Sequence, residues 1–127
     1  MTKLDLSTPT EIETLESDVP YVIAQLQIYI SQWAEGKGWW DEELAGNKRN
    51  DGEMIALMHS ELSEALEGLR KPADSTISQG NLAEEMADTV IRILDFCAHR
   101  DIDLGSAIME KMAVNEKRPY KHGGKAF

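Results

Sequence analysis

Two acidic pairs with the same spacing are the residues of this 127-residue chain best suited to carry out chemistry. Glu61 and Glu64 lie three positions apart in HSELSEAL, and Glu85 and Asp88 repeat that interval in EEMADTVIRIL. Like charges at this spacing repel one another on a helix surface. A repulsion that occurs twice indicates a cation that relieves it. Ligation by oxygen atoms alone is what Mg²⁺ prefers, and it also suits Mn²⁺.

The elements that must position these acids are two amphipathic helices. One helix is predicted from about Asn50 until Pro72 closes it, and the next begins near Asn81. At about 100° of rotation per residue, each acidic pair lies along the same edge of its helix's apolar arc. If the arcs pack together, all four carboxylates converge on one groove. The arcs consist of Met54, Met58, Leu62, Ala65, Leu66 and Leu69, and of Leu82, Met86, Val90, Ile93 and Cys97.

A solvated helix face is the plain alternative to a metal site. Glutamates are common on helices, and a single E-x-x-E motif says little. Three further acids, Glu67, Glu84 and Asp95, lie near the pairs and are expected to face solvent. On this reading the protein is a non-catalytic helical interaction module.

A ferritin-like di-metal carboxylate protein is a second alternative, since it is also a helical bundle with paired acids. That class requires Glu-x-x-His on two of its helices. The positions three residues after Glu61 and Glu85 hold Glu64 and Asp88 instead of histidine.

The remaining segments also predict helices, and the fold class is an all-α helical bundle of four main helices. The first helix is expected from about Val19 to Gly36, and the fourth from Asp103 until Pro119 stops it. The stretch from Trp39 to Asn50 is interpreted as a loop. Residues 1–18 form an N-terminal extension in which Thr8-Pro9-Thr10-Glu11 predicts a short helix or turn. Residues 19–118 are expected to form the main all-α domain, the catalytic one if the acids bind a metal, and residues 119–127 form a basic tail.

The composition is that of a globular chain with a large acidic excess. Its formal net charge of −10 argues against general nucleic-acid binding and binding to anionic membranes, which need basic surface. No apolar run approaches the roughly 20 residues that span a bilayer, and MTKLDLSTPTEIE lacks the apolar stretch of a signal peptide. A cytoplasmic location is therefore expected. The single Cys97 is expected to be a buried, inert thiol.

Cations cluster at the C-terminal end of this acidic chain, which suggests phosphate binding. Lys111, Asn115 and Arg118 follow i, i+4, i+7 spacing on the fourth helix and its exit. Lys121 and Lys125 flank a Gly-Gly pair whose backbone amides could wrap a phosphate. A flexible tail and favourable cation placement at a helix C-terminus are the structural alternatives.

The tryptophans divide into one core residue and one exposed pair. Trp33 lies on the apolar stripe of the first helix and is expected in the core. Trp39 and Trp40 lie in the predicted loop, where an exposed aromatic pair stacks on a nucleobase or contacts a neighbouring subunit. Their wide surfaces favour purines slightly. His59 and His99 are interpreted as ordinary half-buried histidines.

Glu61-x-x-Glu64, a 20-residue gap and Glu85-x-x-Asp88 on consecutive helices resemble the MazG-like nucleoside triphosphate pyrophosphohydrolases. The likeness runs from about Val22 to the tail, although Ser60 stands where the family's fuller motif has another glutamate. The resemblance implies that the four acids bind Mg²⁺, which holds the nucleotide's triphosphate. It also favours substrate binding by the residues on the last helix, Lys111, Asn115 and Arg118.

The function expected from the resemblance is cleavage of a (d)NTP to (d)NMP and pyrophosphate, with a slight preference for purine deoxynucleotides. Glu64 is the candidate for the acid closest to the attacking water. The broad apolar arcs of the helices exceed what one chain of this size can bury, which predicts a homodimer or homotetramer. The family likewise completes its bundle by pairing chains.

Overall fold

The computed structural model describes residues 9–71 and 82–120 of the chain. Within these ranges every regular element is helical, so the predicted all-α class is confirmed. The helices are α1 (Pro9–Gly36), α2 (Asp41–Leu44), α3 (Asp51–Arg70), α4 (Leu82–His99) and α5 (Leu104–Glu116). The short α2 lies in the segment predicted as a loop.

Helix α1 begins ten residues earlier than the periodicity suggested, at Pro9 instead of about Val19. It runs through Pro20, which has no N–H for the helical ladder and usually ends or kinks a helix. Residues 9–18 therefore belong to a long helix and do not form a separate short element. The interior proline explains why the sequence pattern placed the helix start too late.

The N-caps of α3 and α5 are the residues at which the sequence predicts these helices to begin. The side chain of Asn50 accepts a hydrogen bond from the Glu53 amide and begins α3, and Asp103 accepts one from the Ser106 amide and begins α5. Helix α3 ends at Arg70, after which Lys71 is extended, as expected for a residue before proline. Three predicted boundary residues, Thr8, Pro72 and Asn81, lie outside the described residues.

Two compact units make up the described chain. One comprises residues 27–71 and 82–102, and the other comprises residues 9–26 and 103–120. In the second unit, Gly105 packs so tightly against α1 that an added Cβ would lie 2.7 Å from the Cα of Pro20. No larger residue fits at this position without movement of the helix backbone.

The unit that contains residues 27–102 carries the acidic pairs. Its main helix pair is α3 and α4, and its buried core includes Ala34, Trp40 and Met54, with Trp39 and Phe96 packed against them. A tight turn leads into α2, with Gly38 at a φ of +84°, a conformation that favours glycine. Trp39 and Trp40 directly follow this turn.

Only part of each predicted apolar arc is buried. Met54, Met58 and Ala65 on α3 are buried, as is Cys97 on α4. The outer rows of the two arcs are 39–58% exposed, because two packed helices cannot cover arcs this broad. These rows consist of Leu62, Leu66 and Leu69 on α3 and of Leu82, Met86 and Val90 on α4.

Candidate metal and substrate site

Three of the four predicted metal ligands meet between α3 and α4. Carboxylate oxygens of Glu61, Glu64 and Glu85, one from each residue, lie within 4.8 Å of one another. Glu61 is largely buried, Glu85 is half-buried and Glu64 is exposed. Asp88 lies one helical turn after Glu85 on α4 and is exposed. The matching edges of the two helices therefore bring Glu61, Glu64 and Glu85 together, whereas Asp88 is not among the residues whose oxygens meet.

The electrostatics of the cluster show how closely these acids interact. The pKa of Glu85 is raised, first by partial desolvation and then by the negative charge of Glu64. A hydrogen bond to the Glu61 carboxyl and the charges of Glu61 and Asp88 raise it further. A divalent cation among these oxygens would relieve the repulsion that favours the protonated form. The donor set, entirely carboxylate oxygen, fits Mg²⁺ or Mn²⁺.

Arg92 is a site residue that the sequence analysis missed. Its Nε donates a hydrogen bond of 2.7 Å to Oε1 of Glu61, and the two side chains are 27% and 12% exposed. The i, i+7 spacing from Glu85 places Arg92 on the same face of α4, and this spacing was a usable signal. The acidic cluster is therefore paired with a positively charged side chain, that of Arg92.

Trp33 and Trp39, called the aromatic wall below, lie next to the acidic cluster. The guanidinium carbon of Arg92 lies 5.4 Å from the ring centroid of Trp39, and Trp39 meets Trp33 edge to face at 5.2 Å. These three residues and Glu61 line a cavity of about 150 Å³, together with Asp88 and Ile91. The cavity is smaller than pockets that enclose whole drug-sized ligands, which run from roughly 300 Å³ upward.

The predicted exposure of Trp40 is wrong. Trp40 is 1% exposed, and its Nε1 donates to both carboxylate oxygens of Asp95, at 3.1 and 2.9 Å. Its ring stacks on the imidazole of His99 with centroids 3.7 Å apart. An indole buried in this way cannot stack on a nucleobase. A large aromatic ring whose polar atom finds a buried partner is stable in a core even when it comes from a connecting segment.

Asp95 and Trp33 also differ from expectation. Asp95, which is expected to face solvent, is only 3% exposed. Burial raises the pKa of its carboxyl above the ordinary value, although the Trp40 hydrogen bond and the nearby His99 and Arg49 charges oppose this. Trp33 was assigned to the core but is 43% exposed, because it lies at the rim of the cavity.

Ion pairs fix the segment that carries Trp39 and Trp40. Arg100 contacts both carboxylate oxygens of Glu43 on α2, at 2.8 and 2.9 Å, and its Nε donates to Asp51 at 2.8 Å. The pKa of Glu43 is lowered by its hydrogen bond to Arg100, although partial desolvation opposes this. The Nε2 atom of His99 lies 2.9 Å from Glu35. Of the two histidines predicted to be half-buried, His99 is half-buried, whereas His59 is exposed.

The residues of the last helix that are predicted to bind the substrate lie in the unit that comprises residues 9–26 and 103–120. Lys111 and Asn115 lie on α5, Arg118 follows its C-terminal end, and all three are exposed. Lys121 and Lys125 lie outside the described residues. A role for any of these residues in substrate binding stays a prediction.

Cys97 contributes no reactive group. Its thiol is free and buried, and burial raises its pKa. The expectation of a buried cysteine is therefore confirmed, and the raised pKa agrees with a thiol of low reactivity.

Comparison of the chain with protein-family models, curated proteins and solved structures gives no match. No helix in the part of the chain that the structure describes is long and apolar enough to cross a membrane. Function is therefore inferred from the geometry of the acidic site and from the resemblance of its motif.

Proposed function

We propose that this protein is a metal-dependent nucleoside triphosphate pyrophosphohydrolase, which converts a (d)NTP and water into a (d)NMP and pyrophosphate. The observation that carries the proposal is the convergence of Glu61, Glu64 and Glu85 within 4.8 Å from two consecutive helices. These residues and Asp88 would hold Mg²⁺, with Mn²⁺ as an alternative. The E-x-x-E and E-x-x-D spacing of the four acids resembles that of the MazG-like enzymes.

The triphosphate substrate and the carboxylates of the site are both negatively charged, so binding requires a cation between them. Mg²⁺ held by these residues would supply the positive charge that neutralises the phosphates and acidifies the attacking water. Attack of the water on the α-phosphorus would form the new P–O bond, a proton of the water would pass to solvent, and the bond from the α-phosphorus to the bridging oxygen would break as pyrophosphate leaves. Glu64 is the acid we assign nearest the water, because it is the most exposed of the three clustered carboxylates.

The substrate would extend from the acidic cluster towards the aromatic wall. With Trp40 buried and one face of Trp39 under the Arg92 guanidinium, the aromatic surface that remains is Trp33 and the uncovered part of Trp39, which both line the cavity beside Glu61 and Asp88. This surface supports only a slight preference for purine deoxynucleotides. For Lys111, Asn115 and Arg118, which belong to the other unit, phosphate contact is proposed from the resemblance alone.

A homodimer or homotetramer is part of the proposal. The support is the double row of exposed apolar side chains on α3 and α4, which form the packed helix pair. Exposed apolar patches beyond a few hundred Å² normally mark an interface. A second copy of the chain that packs on these rows would complete the bundle.

Pyrophosphate release from a panel of canonical and damaged ribo- and deoxyribonucleoside triphosphates, with Mg²⁺ or Mn²⁺, tests the proposal. We expect metal-dependent release that Glu85→Gln reduces by orders of magnitude and Glu84→Gln leaves unchanged. Glu84 is a matched control because it is the exposed neighbour of Glu85 on the same helix. Turnover of no triphosphate, together with no stoichiometric metal binding, would favour the non-catalytic interaction module.

A further inference from the structure

We propose that Arg92 binds the phosphate chain of the substrate directly, beside the metal-binding acids. This inference rests on the proposed function and adds a substrate-binding residue to it. Among the described residues, Arg92 is the one cationic side chain that lines the cavity next to Glu61 and Asp88.

Two contacts fix the guanidinium in place before any ligand arrives. Its Nε donates to Glu61 Oε1 at 2.7 Å, and its guanidinium carbon lies over the ring of Trp39, 5.4 Å from the ring centroid. Stacking on an aromatic face and a charged hydrogen bond both restrict the rotation of a long side chain. Because the group is already ordered, binding an anion costs less conformational entropy.

The terminal nitrogens remain for a ligand. The hydrogen bond to Glu61 uses Nε, and it is the one bond that the guanidinium makes to the described part of the protein. The side chain is 27% exposed, so solvent reaches it from the cavity. The two terminal nitrogens present a planar fork of donors, which matches two oxygens of a phosphate.

A phosphate fits this position better than a base. Arg92 holds a carboxylate that belongs to the acidic cluster, so any group bound by its terminal nitrogens lies next to the metal-binding oxygens. The phosphate chain is the part of a nucleotide that binds both a cation and an arginine. The face of Trp39 that the guanidinium covers is also closed to a stacking base.

Inorganic tripolyphosphate is the probe that tests this inference, because it carries the phosphate chain without a base or sugar. Its binding with Mg²⁺, and the binding of Mg²⁺ alone, are measured by calorimetry for the wild type, Arg92→Gln and Arg92→Lys. Arg70→Gln is the matched control, since Arg70 forms an exposed ion pair with Glu67 on α3. We expect Arg92→Gln to weaken tripolyphosphate binding on the order of 10- to 100-fold and Arg92→Lys to weaken it less. We expect Mg²⁺ alone to bind Arg92→Gln at least as tightly as the wild type, because the variant frees Glu61.

Three results would overturn the inference. The first is tripolyphosphate binding to Arg92→Gln that equals wild-type binding. The second is a parallel loss of Mg²⁺ binding, which would mean that Arg92 only orients Glu61. The third is a wild type that binds Mg²⁺ but not tripolyphosphate. Failure of the proposed function is separate, since it is measured as absence of pyrophosphate release from every nucleotide, whatever tripolyphosphate does.

Discussion

The indole N–H of Trp40 donates to both carboxylate oxygens of Asp95, at 3.1 and 2.9 Å, although the two residues are 55 positions apart. Both side chains are buried. This contact fastens the segment between α1 and α3 to the C-terminal part of α4. Trp39, the neighbour of Trp40 in the chain, thereby stays against Arg92 and Trp33 at the cavity.

Trp40→Phe is expected to destabilise the fold, because it leaves the buried Asp95 carboxylate without its indole donor. The imidazole Nδ1 of His99, 3.2 Å from Asp95 Oδ1, remains as a partner, but losing a hydrogen bond to a charged, buried acceptor costs about 1.5–3 kcal/mol, and the smaller ring adds a cavity. Urea unfolding measures the difference. Trp33→Phe is the matched control, since Trp33 is 43% exposed and its replacement should change the unfolding free energy much less. Equal effects of the two substitutions would contradict the anchoring role of Trp40.

The ion pair between Glu43 and Arg100 predicts a specific acid dependence of stability. The pKa of Glu43 is lowered in the folded chain, so its contribution is present above the unfolded value, ordinarily 4.5, and is lost as pH falls through the lowered folded value. The difference in unfolding free energy between wild type and Glu43→Gln should therefore be largest near neutral pH and shrink on acidification. A difference that stays constant from pH 7 to pH 3 would show that the pair contributes no proton-linked stability.

Removing single charges from the acidic cluster should distinguish the effect of like-charge repulsion on stability from the effect of metal binding on stability. Glu64→Gln and Glu85→Gln are expected to raise stability without metal, because each removes like-charge repulsion, and to abolish the stabilisation that Mg²⁺ gives the wild type. Glu61→Gln should instead lower metal-free stability, because it leaves Arg92 without its carboxylate partner. Thermal unfolding with and without Mg²⁺ measures both effects.

The exposed Glu67, on the same helix as Glu61 and Glu64, provides the control for these substitutions. Glu67→Gln should unfold like the wild type at every Mg²⁺ concentration. If Mg²⁺ stabilises all the variants equally, the cation binds elsewhere and the assignment of the four ligands is wrong.

If a second chain packs on the exposed rows of α3 and α4, as proposed, charges placed in these rows should dissociate the oligomer. Leu66→Glu and Val90→Glu, at side chains that are 55% and 50% exposed, should reduce the mass measured by light scattering towards the 14.2 kDa of one chain. A charge buried in an apolar interface is costly unless it is paired. Leu44→Glu, at a residue 68% exposed on α2, is the control and should leave the mass unchanged. A wild-type mass near 14.2 kDa would refute the oligomer.

The acidic pairs and the helix caps could be predicted because both depend on short-range spacing. Three-residue intervals place Glu61 beside Glu64, and Asn50 begins α3 through a bond to a residue three positions later. The same reasoning could have found Arg92, which follows Asp88 by four positions on one helix.

Long-range contacts explain what the sequence pattern did not predict. The burial of Trp40 depends on Asp95 and His99, which lie on another helix, so no local pattern in the segment after α1 reveals it. The exposure of Trp33 depends on the cavity beside it. The start of α1 was predicted too late, at about Val19 instead of Pro9. The helix continues through Pro20, and an interior proline resembles a helix boundary when only the sequence is known.

Hydrolysis in ¹⁸O-labelled water tests the central claim most directly. The protein is incubated with Mg²⁺ and the triphosphate that it cleaves fastest, and the products are analysed by ³¹P NMR and mass spectrometry. Attack on the α-phosphorus predicts one ¹⁸O in the nucleoside monophosphate and none in the pyrophosphate, with the reaction lost in Glu85→Gln. Label in the pyrophosphate, release of orthophosphate as the first product, or equal turnover by Glu85→Gln would contradict the claim that these carboxylates form a pyrophosphohydrolase site.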